Sequence, residues 1–341
     1  MRLHLSVLAL LATPAMAENA PRVLADIGPV HSLVAMVMEG VGEPSLVVPP
    51  GTSPHDMALR PSDAAALTEA DLIVWTGPVM LPWLDTAIGS LAPEARILTL
   101  LETEGWEPLI LGARADLADH DHEDHDDHDD HGEHEDHEDH DDHAHAGSHD
   151  HEGDDHGHDG HHDHAHGVPG EIDPHAWLDP AVAAVWVGAI AGALSDLDPA
   201  HAETYRSNAE AAQARLTELA ADLRARMAPL GDRRFLAGHD AYAYFERASG
   251  LSSAGSVADF TGAPPSPATI AALRDTALSG GASCLLLDSE TDPAWATTLG
   301  EGADLRTAMA DPEGVFLEPG PDLYPALIEG LAAALEDCLG G

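Results

Sequence analysis

The chain has 341 residues, of which 61 are acidic and 14 basic, for a formal net charge of −47. No basic stripe is present to neutralise phosphates, which argues against a nucleic-acid partner, while a negative field of this size draws cations. The length allows about two domains.

Residues 1–17 read as a signal peptide. Arg2 and His4 precede the apolar run Leu5 to Ala12, and Ala15-Met16-Ala17 puts small residues at both positions a signal peptidase reads, so cleavage is expected after Ala17 with export to the periplasm. The run is too short to span a bilayer, and no later segment is expected to be long and apolar enough to anchor the chain. From Arg22 onward short apolar runs alternate with helical patterns. Strands are expected at Val23 to Asp26, Ser45 to Val48, Leu72 to Trp75 and Arg96 to Leu100. Helices are expected at Pro29 to Val41, Pro61 to Ala70 and near Leu81 to Ser90. This β-α rhythm predicts a parallel sheet covered by helices.

Eighteen of the 24 histidines then fall between His120 and His166, interleaved with 21 acidic residues from Asp119 to Asp163 and no arginine. The stretch 119–166 has almost nothing apolar larger than alanine, so it is expected to be a disordered insertion in the first domain. Imidazole and carboxylate at this density offer many overlapping weak metal sites rather than one cage. Weak capture, sensing and storage of metal are all open roles for it.

After the insertion, Pro180 to Leu197 reads as a buried helix. Pro199 to Met227 reads as a long one, with Ala209, Ala212, Leu216, Leu219, Leu223 and Met227 on one face. At 1.5 Å per residue it would reach about 43 Å, enough to run the height of two domains. The alternation then resumes: strands at Arg234 to Ala237 and Cys284 to Leu287, and helices at Ala241 to Ser249, Ile270 to Ser279 and Tyr324 to Leu339. The predicted fold is therefore α/β, with two parallel-sheet lobes joined by a long helix: residues 18–198, the helix 199–228, and residues 229–341. The two cysteines, Cys284 and Cys338, suit an oxidising compartment. A disulfide between them would pin a buried strand to the C-terminal helix; free thiols or zinc thiolates are the other options.

Ligands of such sheets sit beyond the carboxyl ends of the strands. Outside the run and the leader only His31, His55, His175, His201 and His239 remain. His55 follows a strand in Pro49-Pro50-Gly51-Thr52-Ser53-Pro54-His55-Asp56, His175 lies in Asp173-Pro174-His175-Ala176-Trp177-Leu178, and His239 directly follows a strand in Gly238-His239-Asp240. Two come from the first lobe and one from the second, so a metal held by all three would sit in the inter-lobe cleft. Three neutral imidazoles make a good zinc shell, with a carboxylate or water in the fourth position. His31, at a helix start, is a weaker candidate ligand, and His201 is expected to be solvated.

The stretch Gly51-Thr52-Ser53-Pro54-His55-Asp56-Met57-Ala58-Leu59-Arg60-Pro61-Ser62-Asp63, continued through Ala70-Asp71-Leu72-Ile73-Val74-Trp75-Thr76-Gly77-Pro78, resembles the zinc-binding periplasmic component of ABC zinc importers, the ZnuA-type family. Asp173-Pro174-His175-Ala176-Trp177-Leu178-Asp179-Pro180 and His239-Asp240-Ala241-Tyr242-Ala243-Tyr244-Phe245-Glu246 are similar to its other two motifs. The resemblance implies a metal receptor with zinc in the cleft, a rigid connecting helix, and delivery to an inner-membrane ABC permease with its ATPase, with or without a periplasmic zinc carrier upstream. It implies a monomer that is not an enzyme, with His55, His175 and His239 as metal ligands. Pro54 stands where some members carry a glutamate that completes the shell. Asp311, in Met309-Ala310-Asp311-Pro312, falls near a C-terminal acid that serves in related receptors; Glu290 and water are the alternatives.

Nitrogen-rich shells favour zinc, and receptors of the same fold with more carboxylate oxygen favour manganese. Because the imidazoles must be neutral, affinity is expected to fall as pH drops through about 6.5. Other readings are a periplasmic zinc store or chaperone, in which the histidine-rich run holds the metal, and a three-histidine zinc hydrolase with Glu246 or Asp240 recruited as base.

Overall fold

A computed structural model of the chain describes residues 20–55, 57, 59–111 and 171–340. The expected signal peptide and the histidine-rich insertion lie outside the described residues. The first sheet contains β1 (Val23–Ala25), β2 (Ser45–Leu46), β3 (Leu72–Trp75) and β4 (Arg96–Thr99), in the order β2-β1-β3-β4, all parallel. The second contains β5 (Arg234–His239), β6 (Ser252–Ala258), β7 (Cys284–Leu287) and β8 (Arg306–Met309), in the order β6-β5-β7-β8, again all parallel. Every residue of β1, β3 and β7 is buried. Strands covered by helices on both faces need continuous apolar runs such as Leu72-Ile73-Val74-Trp75 and Cys284-Leu285-Leu286-Leu287.

The helices of the first half are α1 (Gly28–Met38), α2 (Pro61–Glu69), α3 (Pro82–Leu91) and α4 (Pro180–Leu197). They share one start signal, a proline in the first turn, whose missing N–H has no intrahelical partner to lose. α4 corrects the expectation that no later segment is long and apolar enough for a membrane span, because its 18 residues pass that test by length and composition. Here they serve a core helix: Val182, Trp186, Ile190 and Leu194 are all buried. The two flanks of the insertion meet in an antiparallel bridge between Ile110 and Ile172, with Leu111 N–H on the Glu171 carbonyl at 2.8 Å and Asp173 N–H on Leu109 at 2.8 Å.

The long helix α5 (Ala202–Met227) has 26 residues and buries the stripe expected of it, with Tyr205 added. It starts three residues later than expected, because Asp198 ends α4 and binds both the His201 ring (2.7 Å) and the Tyr205 hydroxyl (2.8 Å). Asn208 donates to the carbonyls of Val37 and Glu39 at the end of α1. Toward the other end, Arg226 pairs with Glu336 at 2.8 Å and Arg224 donates to the Ala248 carbonyl. Glu336 belongs to α9 (Leu323–Leu339), and Ala248 to α6 (Ala243–Ser249). One hydrophobic cluster runs through α1, α4, α5 and α9 and reaches the inner faces of both sheets. A smaller one, with Leu236, Leu285, Leu273 and Leu299, lies on the far face of the second sheet beneath α7 (Pro267–Leu278) and α8 (Ala294–Gly300).

Cys284 of β7 and Cys338 of α9 form a disulfide with a Cα–Cα distance of 5.5 Å, which pins strand to helix. Three elements escaped the sequence reading. β6 is Ser-Ser-Ala-Gly-Ser-Val-Ala, with Val257 its one fully buried residue, so it carries no apolar run. β8 is a half-exposed edge strand, and α8 is only 7 residues long.

Candidate metal centre

In each sheet the strand order reverses direction once, between β1 and β3 and between β5 and β7, and the crevice beyond the carboxyl ends at such a point is where α/β sheets bind ligands. β5 ends on His239, and β7 runs directly into Asp288. These two side chains meet across the reversal: His239 Nδ1 lies 2.7 Å from Asp288 Oδ2, with both residues buried. Asp288 is fixed in turn by the Thr291 hydroxyl at 2.5 Å on its other oxygen. Gly238 makes room for this packing, since a Cβ there would fall 2.9 Å from Asp288 Oδ2 and closer still to Thr291.

His175 stands just before the 3₁₀ turn Ala176–Leu178. Asp173 Oδ1 accepts from both its backbone N–H and its ring Nδ1, each at 2.9 Å. The turn is anchored across the molecule: Trp177 Nε1 donates to the Pro312 carbonyl at 2.8 Å, and Tyr324 donates its hydroxyl to the Trp177 carbonyl at 2.6 Å. His55 comes from the loop after β2, where Gly51, at φ 77°, donates its N–H to the Val315 carbonyl at 2.7 Å. The His55 N–H closes a short turn on Ser53 Oγ at 3.1 Å.

The three rings converge, with centroids 6.2 Å apart for His55 and His175, 6.3 Å for His55 and His239, and 5.5 Å for His175 and His239. The Nε2 atoms of all three are buried without a hydrogen-bond partner. A ring that gives its Nδ1 proton to a carboxylate presents Nε2 as a lone pair, the arrangement found around metal-bound histidine. A donor atom from each of the three lies within 4.8 Å of the other two. The residues thus fit a divalent ion by the chemistry of the donor set.

Among the described residues, Asp311 is in neither group of converging donors. Its carboxylate is occupied in its own loop, accepting from the N–H of Val315 at 2.9 Å and of Phe316 at 3.0 Å. The acid beside the histidines is instead Glu313, two residues on, 3% exposed, with Oε1 3.8 Å from His55 Nε2 and both oxygens unpartnered. The signal for it was Asp311-Pro312-Glu313-Gly314 itself, a second acid in the loop beyond β8. Glu290 also reaches the site: His55, His239, Glu290 and Glu313 form a second converging group. Its Oε1 accepts from the Ser53 hydroxyl of the opposite lobe.

His31 joins neither donor group and is buried with Nε2 3.0 Å from the Pro44 carbonyl. His201 pairs with Asp198 at the start of α5 rather than standing free in water. Glu246 and Asp240, the base candidates of the hydrolase reading, join neither donor group.

Burial and the neighbouring His175 and His239 push His55 down to about 3. For His239 burial also opposes the charged form, but the hydrogen bond and charge of Asp288 overcome it and raise the group to about 9. Burial, and then the charge of Glu290, push Glu313 well above the usual carboxylate range. A bound divalent cation reverses this balance by favouring neutral imidazole and ionised carboxylate.

Residues 23–338 match the family model for the periplasmic zinc-uptake complex component A. A high-affinity zinc uptake system protein ZnuA of Brucella abortus is 40% identical over 317 residues, spanning 93% of this chain and 91% of its own length. One of the same name from Paracoccus denitrificans is 41% identical over 330 residues, spanning 96% and 94%. Among solved structures, a zinc-bound ZnuA deletion mutant superposes with a TM-score of 0.68 at 18% identity, covering 94% of this chain and 98% of its own. FpvC of Pseudomonas aeruginosa in complex with Mn2+ superposes with a TM-score of 0.68 at 20% identity, covering 94% and 98%. At these identities the structural likeness shows the fold alone.

Proposed function

From its membership of the periplasmic zinc-uptake complex component A family, to which this chain belongs, we propose that it captures Zn2+ in the cleft between its sheets and delivers it to an ABC-type permease in the inner membrane. The observation that carries this reading is the convergence of three buried, unpartnered Nε2 atoms, two of them on rings whose Nδ1 is held by a carboxylate. His55, His175 and His239 are the zinc ligands, and Glu313 is the fourth donor in the place once expected of Asp311. Glu313 brings a negative charge that three neutral imidazoles lack, which halves the charge that bound zinc would bury.

The mature chain starts after Ala17 in the periplasm. Residues 18–198 and 229–341 act as lobes, with α5 as the brace between them, and the protein works as a monomeric receptor rather than an enzyme. A hydrolase needs an open coordination position for water, and a buried glutamate beside His55 supports the transport reading instead. The run 119–166 collects zinc weakly and raises its concentration near the cleft.

Competitive zinc titration of the protein lacking residues 119–166, alongside the same protein carrying His239→Ala, tests the reading. One tight zinc, lost on substitution, is the expected result; absence of tight zinc in the parent protein would overturn it. Zinc uptake by a deletion strain under chelation separates an importer component from a zinc store, since only the former is needed for growth there.

A further inference from the structure

The donors in the cleft form two overlapping groups rather than one. His55, His175 and His239 make a three-nitrogen group; His55, His239, Glu290 and Glu313 make a group of two nitrogens and two oxygens, and a donor atom from each member of a group lies within 4.8 Å of the others. The second leaves out His175. We propose that this second group is a distinct, oxygen-rich cation position, shifted away from His175 toward the second lobe, and that it takes a hard divalent cation of the Mn2+ class. The proposal rests on the zinc reading of the same cleft.

The burial of the two acids carries it. Glu313 is 3% exposed and neither of its oxygens has a partner, and Oε2 of Glu290 is likewise buried and unpartnered. Two carboxyl groups drawn together out of water, with no arginine at either among the described residues, need a proton or a cation to relieve the charge, and a divalent cation can take the proton's place. Glu290 is also deliberately placed. Ser53, from the loop after β2, binds its Oε1, and Gly262, at φ 77°, leaves the room its other oxygen fills, since a Cβ there would stand 3.1 Å from Oε2. Carboxylate oxygen suits Mn2+, whereas imidazole suits zinc. The two groups share His55 and His239, and zinc also draws on Glu313, so the positions cannot be filled together, and zinc displaces the harder ion by recruiting His175. Selectivity is then a competition between His175 and Glu290 for the cation.

Mn(II) and Zn(II) titrations of the full chain test this, with wild type, Glu290→Gln and His175→Ala compared. Mn(II) is followed by the electron paramagnetic resonance of the free ion, and Zn(II) by competition with a chromophoric chelator. All three proteins carry the same histidine-rich run, so differences among them report the cleft. Glu290→Gln should weaken Mn(II) by ~10-fold or more and zinc by less than ~3-fold, and His175→Ala should do the reverse. Opposed shifts of this kind cannot come from misfolding, which would lower both affinities together. If Glu290→Gln leaves Mn(II) unchanged, or shifts both metals by one factor while zinc still depends on His175, the second position does not exist. If tight zinc survives His175→Ala, it is the zinc reading itself that falls.

Discussion

Zinc affinity should rise by about 50-fold between pH 7 and pH 9, although an imidazole at its ordinary pKa is already mostly neutral at the start of that interval. The cause is Asp288. Its carboxylate, 2.7 Å from His239 Nδ1, overrides the burial penalty and holds a proton on the ring up to about 9. A protonated ring has no lone pair on Nε2, so zinc must displace that proton. Well below 9 each pH unit lowers affinity tenfold, or about 1.4 kcal/mol, and the fall from pH 9, where the ring is half protonated, to pH 7 costs about 2.3 kcal/mol. His55, held down near 3, does not compete anywhere in this range. Asp288→Asn keeps a hydrogen-bond acceptor but removes the charge, so the part of the slope that His239 contributes should vanish above pH 7. Its zinc affinity should also be some 10- to 100-fold weaker than wild type at pH 9, because the ring loses basicity and orientation. Hence the two curves approach each other at pH 7 and separate at pH 9. The assay is chelator competition across pH, corrected for the chelator's own protons, on protein joined where residues 109–111 and 171–173 already pair. A wild-type affinity independent of pH between 7 and 9, or an unchanged slope in Asp288→Asn, would refute the reasoning.

The same pair acts on metal-free stability with the opposite sign. His239 is raised above its unfolded value, so its contribution is fully present below about 6.5 and is lost as pH rises through about 9; the melting temperature of the metal-free protein should fall over that window, and a flat profile would count against the pair. Gly238→Ala drives a methyl into Asp288 and Thr291, and zinc titration should show a loss comparable to that of Asp288→Asn at pH 9 with the fold retained by circular dichroism. Cys284→Ser with Cys338→Ser opens a loop of sequence separation 54 and should lower stability to denaturant by about 4 kcal/mol in the chain-entropy model, with no change in zinc stoichiometry. Glu313→Gln should weaken zinc by ~10-fold while leaving the melting temperature unchanged or higher, whereas Asp311→Asn, which replaces one of the two oxygens that accept from the N–H groups of Val315 and Phe316 with a donor, should lower the melting temperature by the equivalent of about 1–3 kcal/mol; exchanged phenotypes would return Asp311 to the fourth position.

Much of the fold was legible because it rests on local patterns. Leu72-Ile73-Val74-Trp75 and Cys284-Leu285-Leu286-Leu287 announce buried strands, proline opens helix after helix, and the stripe from Ala209 to Met227 is buried as its spacing requires. β6 was not legible, because a strand of serine, alanine and glycine pairs through its backbone alone and leaves no period to read. His55, His175 and His239 were singled out by their places after strands and before turns, and by their resemblance to known motifs.

What the sequence by itself determined is the kind of protein: an α/β chain with a cation-drawing charge, three histidines in loops between its elements and two cysteines. What only the tertiary structure decided is which acids stand with those histidines. Asp311 and Glu313 are two residues apart, and nothing local distinguishes a carboxylate that caps the N–H groups of Val315 and Phe316 from one aimed unpartnered at His55. Glu290 and Ser53 are 237 residues apart and meet only when the two sheets bring their loops together. Secondary structure follows from interactions within a few residues along the chain. A metal shell is a convergence of atoms from five separate loops, and their distances are set by how the helices between them pack.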